Sequence, residues 1–133
     1  MDHNNILAVV LAGGKSKRFG RDKSQVKLGD KILIDFILTE IIHFYKDILI
    51  VANEPIKFLD SNKISLTSDI KKNLGPLGGV YSAMKWVKDN KKDYKWISTF
   101  PIDTPFFKKE YLIKFYKEID LEKSNLFFMK SKN

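Results

Sequence analysis

Apolar positions along the chain change their period repeatedly, and each change marks an element. Ile6 to Ala12 form an unbroken apolar run. A run that short and rich in β-branched residues fits a strand buried on both faces. Gly13 and Gly14 stop it, and Ser24 to Lys31 read as a loop with a Gly29-Asp30 turn. Ile34, Ile37, Leu38, Ile41, Ile42 and Tyr45 then recur at helical spacing, which predicts a helix from Ile32 to Tyr45. Ile48 to Ala52 is a second strand, ended by Asn53-Glu54-Pro55. Pro55 suits the first turn of a short helix through Leu59. Lys63 to Thr67 is a weaker third strand, followed by Ser68-Asp69.

The second half repeats the alternation. Gly75 and Pro76 form a turn, and a helix follows to Lys88 with Leu77, Val80, Tyr81, Met84 and Val87 as its expected inward face. Asn90 to Asp93 is a polar loop. Tyr94 to Phe100 is a fourth strand, ended by Pro101 to Pro105. A helix from Lys108 to Ile119 should bury Leu112 and Phe115, and Asn125 to Met129 reads as a fifth strand. Strands alternating with helices across short loops predict an α/β protein, a sandwich around a mostly parallel sheet. In parallel strands the C-terminal ends share one edge, and ligands bind in the crevice outside it. Gly13-Gly14, Asn53, Asp69 and Asp103 should therefore meet there although they are far apart in sequence.

Composition narrows the classes. The 133 residues suit one domain with a real core; 44% are hydrophobic and 30% charged, a globular balance. The absence of cysteine excludes a disulfide scaffold and a thiolate zinc site. The first residues lack the basic and apolar regions of a signal peptide, and no apolar run approaches membrane-spanning length, so a soluble cytoplasmic protein is expected. The net charge of +8 comes from lysines spread along the whole chain. It is compatible with a phosphorylated ligand without pointing to one.

The stretch after the first strand carries more. Lys15, Lys17, Arg18, Arg21 and Lys23 follow Gly13-Gly14 at once. Glycines allow a sharp turn and close approach, and successive free N–H groups make a concave anion site. A buried strand entering a glycine turn with clustered cations reads as a phosphate-binding loop, though neither G-x-x-x-x-G-K-[ST] nor G-x-G-x-x-G is present. Each other candidate has a plain alternative. Asp103 suits Mg²⁺ at a strand end or an Asx turn before Pro105. Asn53 suits a base or ribose contact or a helix N-cap before Pro55. Asp69 suits the guanine N–H donors or a simple turn. Gly75 and Pro76 open a helix whose free N–H groups can face a ligand, or merely start that helix.

The motif Leu11-Ala-Gly-Gly-x-Ser16-x-Arg18-x-Gly20-x-Asp22-Lys23 resembles the signature of sugar-nucleotide-type nucleotidyltransferases. In its Ser16 and Asp22-Lys23 it is most similar to the molybdenum cofactor guanylyltransferases, the MobA family. Asp103-Thr-Pro-Phe106, Gly75-Pro-Leu-Gly-Gly79, Val51-Ala-Asn53 and Ser68-Asp69 resemble further family segments. The resemblance implies a three-layer α/β/α sandwich of Rossmann-like, GT-A-like nucleotidyltransferase type. It implies transfer of GMP from GTP to the phosphate of molybdopterin cofactor. Arg18, Lys23 and Asp103 would be catalytic, with Mg²⁺ on Asp103. Leu11, Ala12, Gly13, Gly14, Lys23, Asn53, Asp69, Gly75 and Pro76 would hold the nucleotide. Expected partners are GTP, the molybdopterin cofactor and proteins of molybdoenzyme maturation, with no nucleic acid and no membrane. Ile102 stands where the family often has cysteine, and the family domain normally continues beyond the length seen here. Rival expectations are another nucleotidyltransferase of the same fold, such as a cytidylyltransferase; a GTP-binding remnant without catalysis; and a basic nucleic-acid-binding module.

Overall fold

The computed structural model describes residues 3–12, 27–28, 31–53, 58, 61–68, 76–102, 107–120 and 122–126. Six strands and three α-helices are assigned among them: β1 (Ile6–Leu11), β2 (Lys27–Leu28), β3 (Lys31–Ile32), α1 (Leu33–Ile41), β4 (Ile48–Val51), β5 (Ile64–Thr67), α2 (Pro76–Asp89), β6 (Trp96–Pro101) and α3 (Lys109–Glu118). The main sheet has the order β5-β4-β1-β6, and every pairing in it is parallel. β2 and β3 form a separate two-residue antiparallel ladder; the turn expected at Gly29-Asp30 lies outside the described residues.

Helices lie on both faces, giving the expected three layers. On one face Ile34, Ile37, Leu38 and Ile41 of α1 and Leu112 of α3 pack on Ile6, Ala8, Val10, Ile48, Ile50 and Phe100. On the other, Ala83, Trp86 and Val87 of α2 pack on Leu7, Val9, Leu49 and Val51. β1 and β4 are buried on both sides, which is why their sequences are apolar without alternation. β5, at one side of the sheet, is only half-buried.

Four expectations need correction. The first helix stops at Ile41 rather than Tyr45. Lys63 Nζ donates to the Ile42 carbonyl, and the Phe44 N–H donates to Ile41 O in a tightened turn. Tyr45 still enters the core: its hydroxyl donates to Ser98 Oγ at 3.2 Å and lies 3.0 Å from the Tyr116 hydroxyl. Burial first, then the neighbouring Tyr116, raises its pKa far above the ordinary phenol value. Second, α2 turns a different face inward. Leu77, Tyr81 and Met84 are exposed, at 73%, 48% and 58%, while Gly78, Gly79, Ser82 and Ala83 are buried. Small residues let the helix approach the sheet closely, and that outweighed the apolar stripe; the Ser82 hydroxyl is satisfied by Gly78 O at 2.9 Å.

Third, β6 begins at Trp96, not Tyr94. The Tyr94 hydroxyl instead donates to the Asp47 carboxylate, and Lys95 N–H donates to Asn5 O at 3.0 Å, tying down the N-terminal edge of the sheet. In α3, Leu112 is buried as expected but Phe115 is only half-buried, and Tyr116 packs against the core beside it. Fourth, Asn125 and Leu126 are exposed and lie in no strand. The Leu126 N–H donates to Ser124 Oγ at 3.3 Å, and that hydroxyl donates to Leu126 O at 3.1 Å. Such a local bond competes with sheet pairing. The rest of that expected strand, and most of the expected Pro55 to Leu59 helix, lie outside the described residues. Among the described residues no helix is long and apolar enough to cross a membrane.

Candidate functional site

Strand order singles out one edge of the sheet as the candidate site. From β1 the chain moves to β4 and then β5 on one side, and β6 pairs with β1 on the other. The direction of winding therefore reverses at β1 and β6, and in open parallel sheets the binding crevice lies outside the C-terminal ends at that point.

Register then sets the level of each residue. Leu11 pairs with both Val51 and Pro101, and Val51 pairs with Thr67. These residues form one row across all the strands of the sheet. Hydrogen bonding continues one step past it, with Ala12 N–H donating to Val51 O at 2.8 Å and Ala52 N–H to Thr67 O at 2.9 Å. Two positions beyond the row, the sequence carries Gly13, Asn53, Asp69 and Asp103. The four strand-end candidates thus share one offset from one row. Of them Asn53 is described: it is half-buried, with Oδ1 shielded from solvent. Gly13, Gly14, Arg18, Lys23, Asp69, Gly75 and Asp103 lie outside the described residues.

Part of the described rim is apolar. Ala12, Ala52 and Ile102 are buried at 1%, 5% and 7% exposure. Charges brought to such a rim act through less water than at an open surface, so each counts for more. Ile102 and Phe107 bracket the stretch that holds Asp103. Phe107 stands edge-on to Phe100, ring centroids 5.5 Å apart, and to Tyr111 at 5.8 Å. Among the described residues no group of three or more His, Cys, Asp or Glu could hold a metal ion.

α2 completes the described part of the site. Pro76 is its first residue, where a missing N–H costs nothing. A Cβ added to Gly79 would stand 2.6 Å from Leu11 Cδ2, so the first turn of α2 lies directly against the end of β1. That brings a helix N-terminus, with its free N–H groups, to the same edge. Leu11 and Ala12 thus lie at the end of β1 beside the first turn of α2, and Asn53 follows the end of the neighbouring β4. Gly79 was not singled out as a contact from the sequence. Its signal was available: adjacent glycines inside a helix are costly, and mark close backbone approach.

Comparison with known proteins places this geometry among relatives. The family model for the MobA-like NTP transferase domain matches residues 8–133. A probable molybdenum cofactor guanylyltransferase of Halalkalibacterium halodurans is 32% identical over 126 residues, which cover 92% of this chain and 61% of that protein. Among solved structures, molybdopterin-guanine dinucleotide biosynthesis protein A of Archaeoglobus fulgidus is similar with a TM-score of 0.52 at 25% identity, over 84% of this chain and 54% of that one. A Mycobacterium tuberculosis protein, Rv0371c, shares the fold with a TM-score of 0.63 at 17% identity, over 88% of this chain and 61% of that one. The chain spans about half to three fifths of the length of the curated relatives it matches over most of its own.

Proposed function

The chain belongs to the MobA-like NTP transferase family, and from that premise we propose that it binds GTP across the C-terminal edge of its sheet and transfers GMP to the phosphate of molybdopterin. An acceptor phosphate oxygen attacks the α-phosphorus of GTP. A phosphorus–oxygen bond forms there while the bond to the oxygen bridging the β-phosphate breaks, and pyrophosphate leaves with that electron pair. Such a reaction asks the protein for positioning and charge stabilisation rather than covalent chemistry.

The roles follow from place and residue type. The Gly13-Gly14 amides, Arg18 and Lys23 bind the phosphates; Arg18 offers a planar bidentate fork and Lys23 a point charge. Leu11 and Ala12 form the end of β1 that the nucleotide lies against. Asn53, Asp69 and the α2 start at Gly75-Pro76 face the base and ribose. Asp103 holds Mg²⁺. A single strand-end carboxylate fits that ion, which takes one or two protein carboxylates and completes its shell with water and phosphate oxygens. When bound, Mg²⁺ neutralises charge on the phosphates. GTP, the molybdopterin cofactor and proteins of molybdoenzyme maturation are the partners of this reading, and the cytoplasm its setting.

One observation carries the proposal: Gly13, Asn53, Asp69 and Asp103 share an offset of two residues from the Thr67–Val51–Leu11–Pro101 row. The similarity to a probable molybdenum cofactor guanylyltransferase and to a molybdopterin-guanine dinucleotide biosynthesis protein supports guanine and molybdopterin as the base and acceptor. The test titrates GTP, ATP, CTP and UTP, each with Mg²⁺, against thermal stability. Ligand linkage makes the shift grow with concentration over Kd. The proposal expects GTP to give the largest shift, and pyrophosphate release when molybdopterin is added. Equal shifts with all four nucleotides contradict guanine selection, and a larger shift with CTP points to the cytidylyl reaction.

A further inference from the structure

We propose that Glu40, at the end of α1, is a positioning residue that fixes the start of α3 and through it the Asp103 stretch; the inference rests on the functional reading above. α3 begins without a cap of its own. Lys108 precedes it in extended conformation, with φ −121° and ψ 142°, and makes no side-chain cap bond. A lysine has no acceptor to offer the free N–H groups of a first turn. Glu40 supplies one from another helix: Lys109 N–H donates to its Oε2 at 3.0 Å. Lys108 Nζ stands 4.0 Å from Oε1.

The placement of Glu40 is locally unfavourable, which is informative. It sits in the last turn of α1, where a carboxylate opposes the helix dipole, and that turn contains no basic residue. At the N-terminus of α3 the same charge is favourable. A residue that breaks a rule on its own helix and satisfies one on another is placed for the second.

What it holds bears on the site. β6 ends at Pro101, and buried Ile102 follows it. Residues 103–106 then lead to Phe107, which packs on Phe100 and Tyr111. That short connection carries Asp103 between two anchors, one on the sheet and one on α3. Glu40 secures the second. Without it the first turn of α3 loses its acceptor, and that second anchor loosens. The ion pair with Lys108 is long and half-exposed, so the backbone hydrogen bond matters more than the charge.

The experiment compares the intact chain with Glu40→Ala and Glu40→Gln in two measurements. One follows thermal stabilisation by GTP while Mg²⁺ is titrated, and repeats it without Mg²⁺. The other follows amide hydrogen exchange over residues 107–112. Glu40→Ala should raise the Mg²⁺ concentration for half-maximal effect roughly three- to tenfold, at or below the usual cost of losing a direct partner of a metal ligand. It should leave Mg²⁺-free GTP binding unchanged and speed exchange at the start of α3. Glu40→Gln keeps an acceptor oxygen and should restore both readouts. The inference is overturned if Glu40→Ala matches the intact chain in Mg²⁺ response or in exchange. It is equally overturned if Mg²⁺-free binding falls in parallel, or if Glu40→Gln behaves as Glu40→Ala. An intact chain that shows no Mg²⁺-dependent GTP response overturns the functional reading itself, and this role with it.

Discussion

Replacing Gly79 by alanine should leave the protein nearly as stable as before while weakening nucleotide binding. The added Cβ would stand 2.6 Å from Leu11 Cδ2 and 3.8 Å from its Cγ. The first distance is a clash, so something must move. Cδ2 is the end of a rotatable side chain that is only half-buried, so Leu11 turns while α2 stays in place. Leaving its preferred rotamer costs about 0.5–1.5 kcal/mol. Alanine inside a helix recovers about 0.8–1.0 kcal/mol relative to glycine. The two nearly cancel, leaving a net change within about 0.7 kcal/mol. Binding has no such compensation. Leu11 directly precedes Ala12 and the Gly13-Gly14 loop, level with Val51 and Pro101. A displaced side chain there should lower GTP affinity roughly tenfold, about 1.4 kcal/mol. Urea unfolding reads the first quantity, and calorimetric titration of GTP with Mg²⁺ the second. A stability gain near 1 kcal/mol with unchanged affinity would mean that α2 does not approach β1 closely. A loss beyond about 2 kcal/mol would mean that Leu11 cannot yield, and that the contact is rigid packing.

Two other perturbations probe different parts of the molecule. Tyr45→Phe removes the hydroxyl shared with Ser98 and Tyr116 and should cost about 0.5–1.5 kcal/mol in urea unfolding. Because burial raises the Tyr45 pKa in the folded state, its contribution is whole below pH ~10, where the unfolded phenol is neutral, and declines as pH rises above that. The variant should lose less stability than the parent between pH 9 and about 11; an identical loss would place the alkaline sensitivity in other groups. Lys23→Ala should change unfolding stability by less than about 0.5 kcal/mol, the usual result for a surface substitution, if the lysine serves the phosphates rather than the core, and weaken GTP binding in calorimetry. The reverse pattern would make Lys23 structural.

Much of the fold was legible because its strongest signals are local. The apolar runs of β1 and β4 have few other uses, and Ile34, Ile37, Leu38 and Ile41 mark the inward face of α1 by spacing alone. The inward face of α2 was not, because a period rule follows large apolar residues. Here close approach is made by Gly78, Gly79, Ser82 and Ala83, while Leu77, Tyr81 and Met84 point outward. Asn125 and Leu126 were misread for a related reason: the apolar content that follows suggested a strand, but a Ser124 hydroxyl offers Leu126 a local alternative. That β1, β4, β5 and β6 end at one edge was legible once the sheet was taken as parallel; Gly13, Asn53, Asp69 and Asp103 follow those ends in the sequence. Glu40 was not, because its effect crosses from one helix to another across 69 residues of sequence.

GTP is proposed to sit at the C-terminal edge, at the reversal between β1 and β6. Amide hydrogen exchange mapped along the chain with and without GTP and Mg²⁺ tests this most directly. Protection is predicted at Leu11, Ala12 and Asn53 and in the first turn of α2, with none at Tyr94 and Lys95 on the opposite edge. Protection at the Tyr94 edge, or none at the ends of β1 and β4 while GTP is demonstrably bound, would contradict the account.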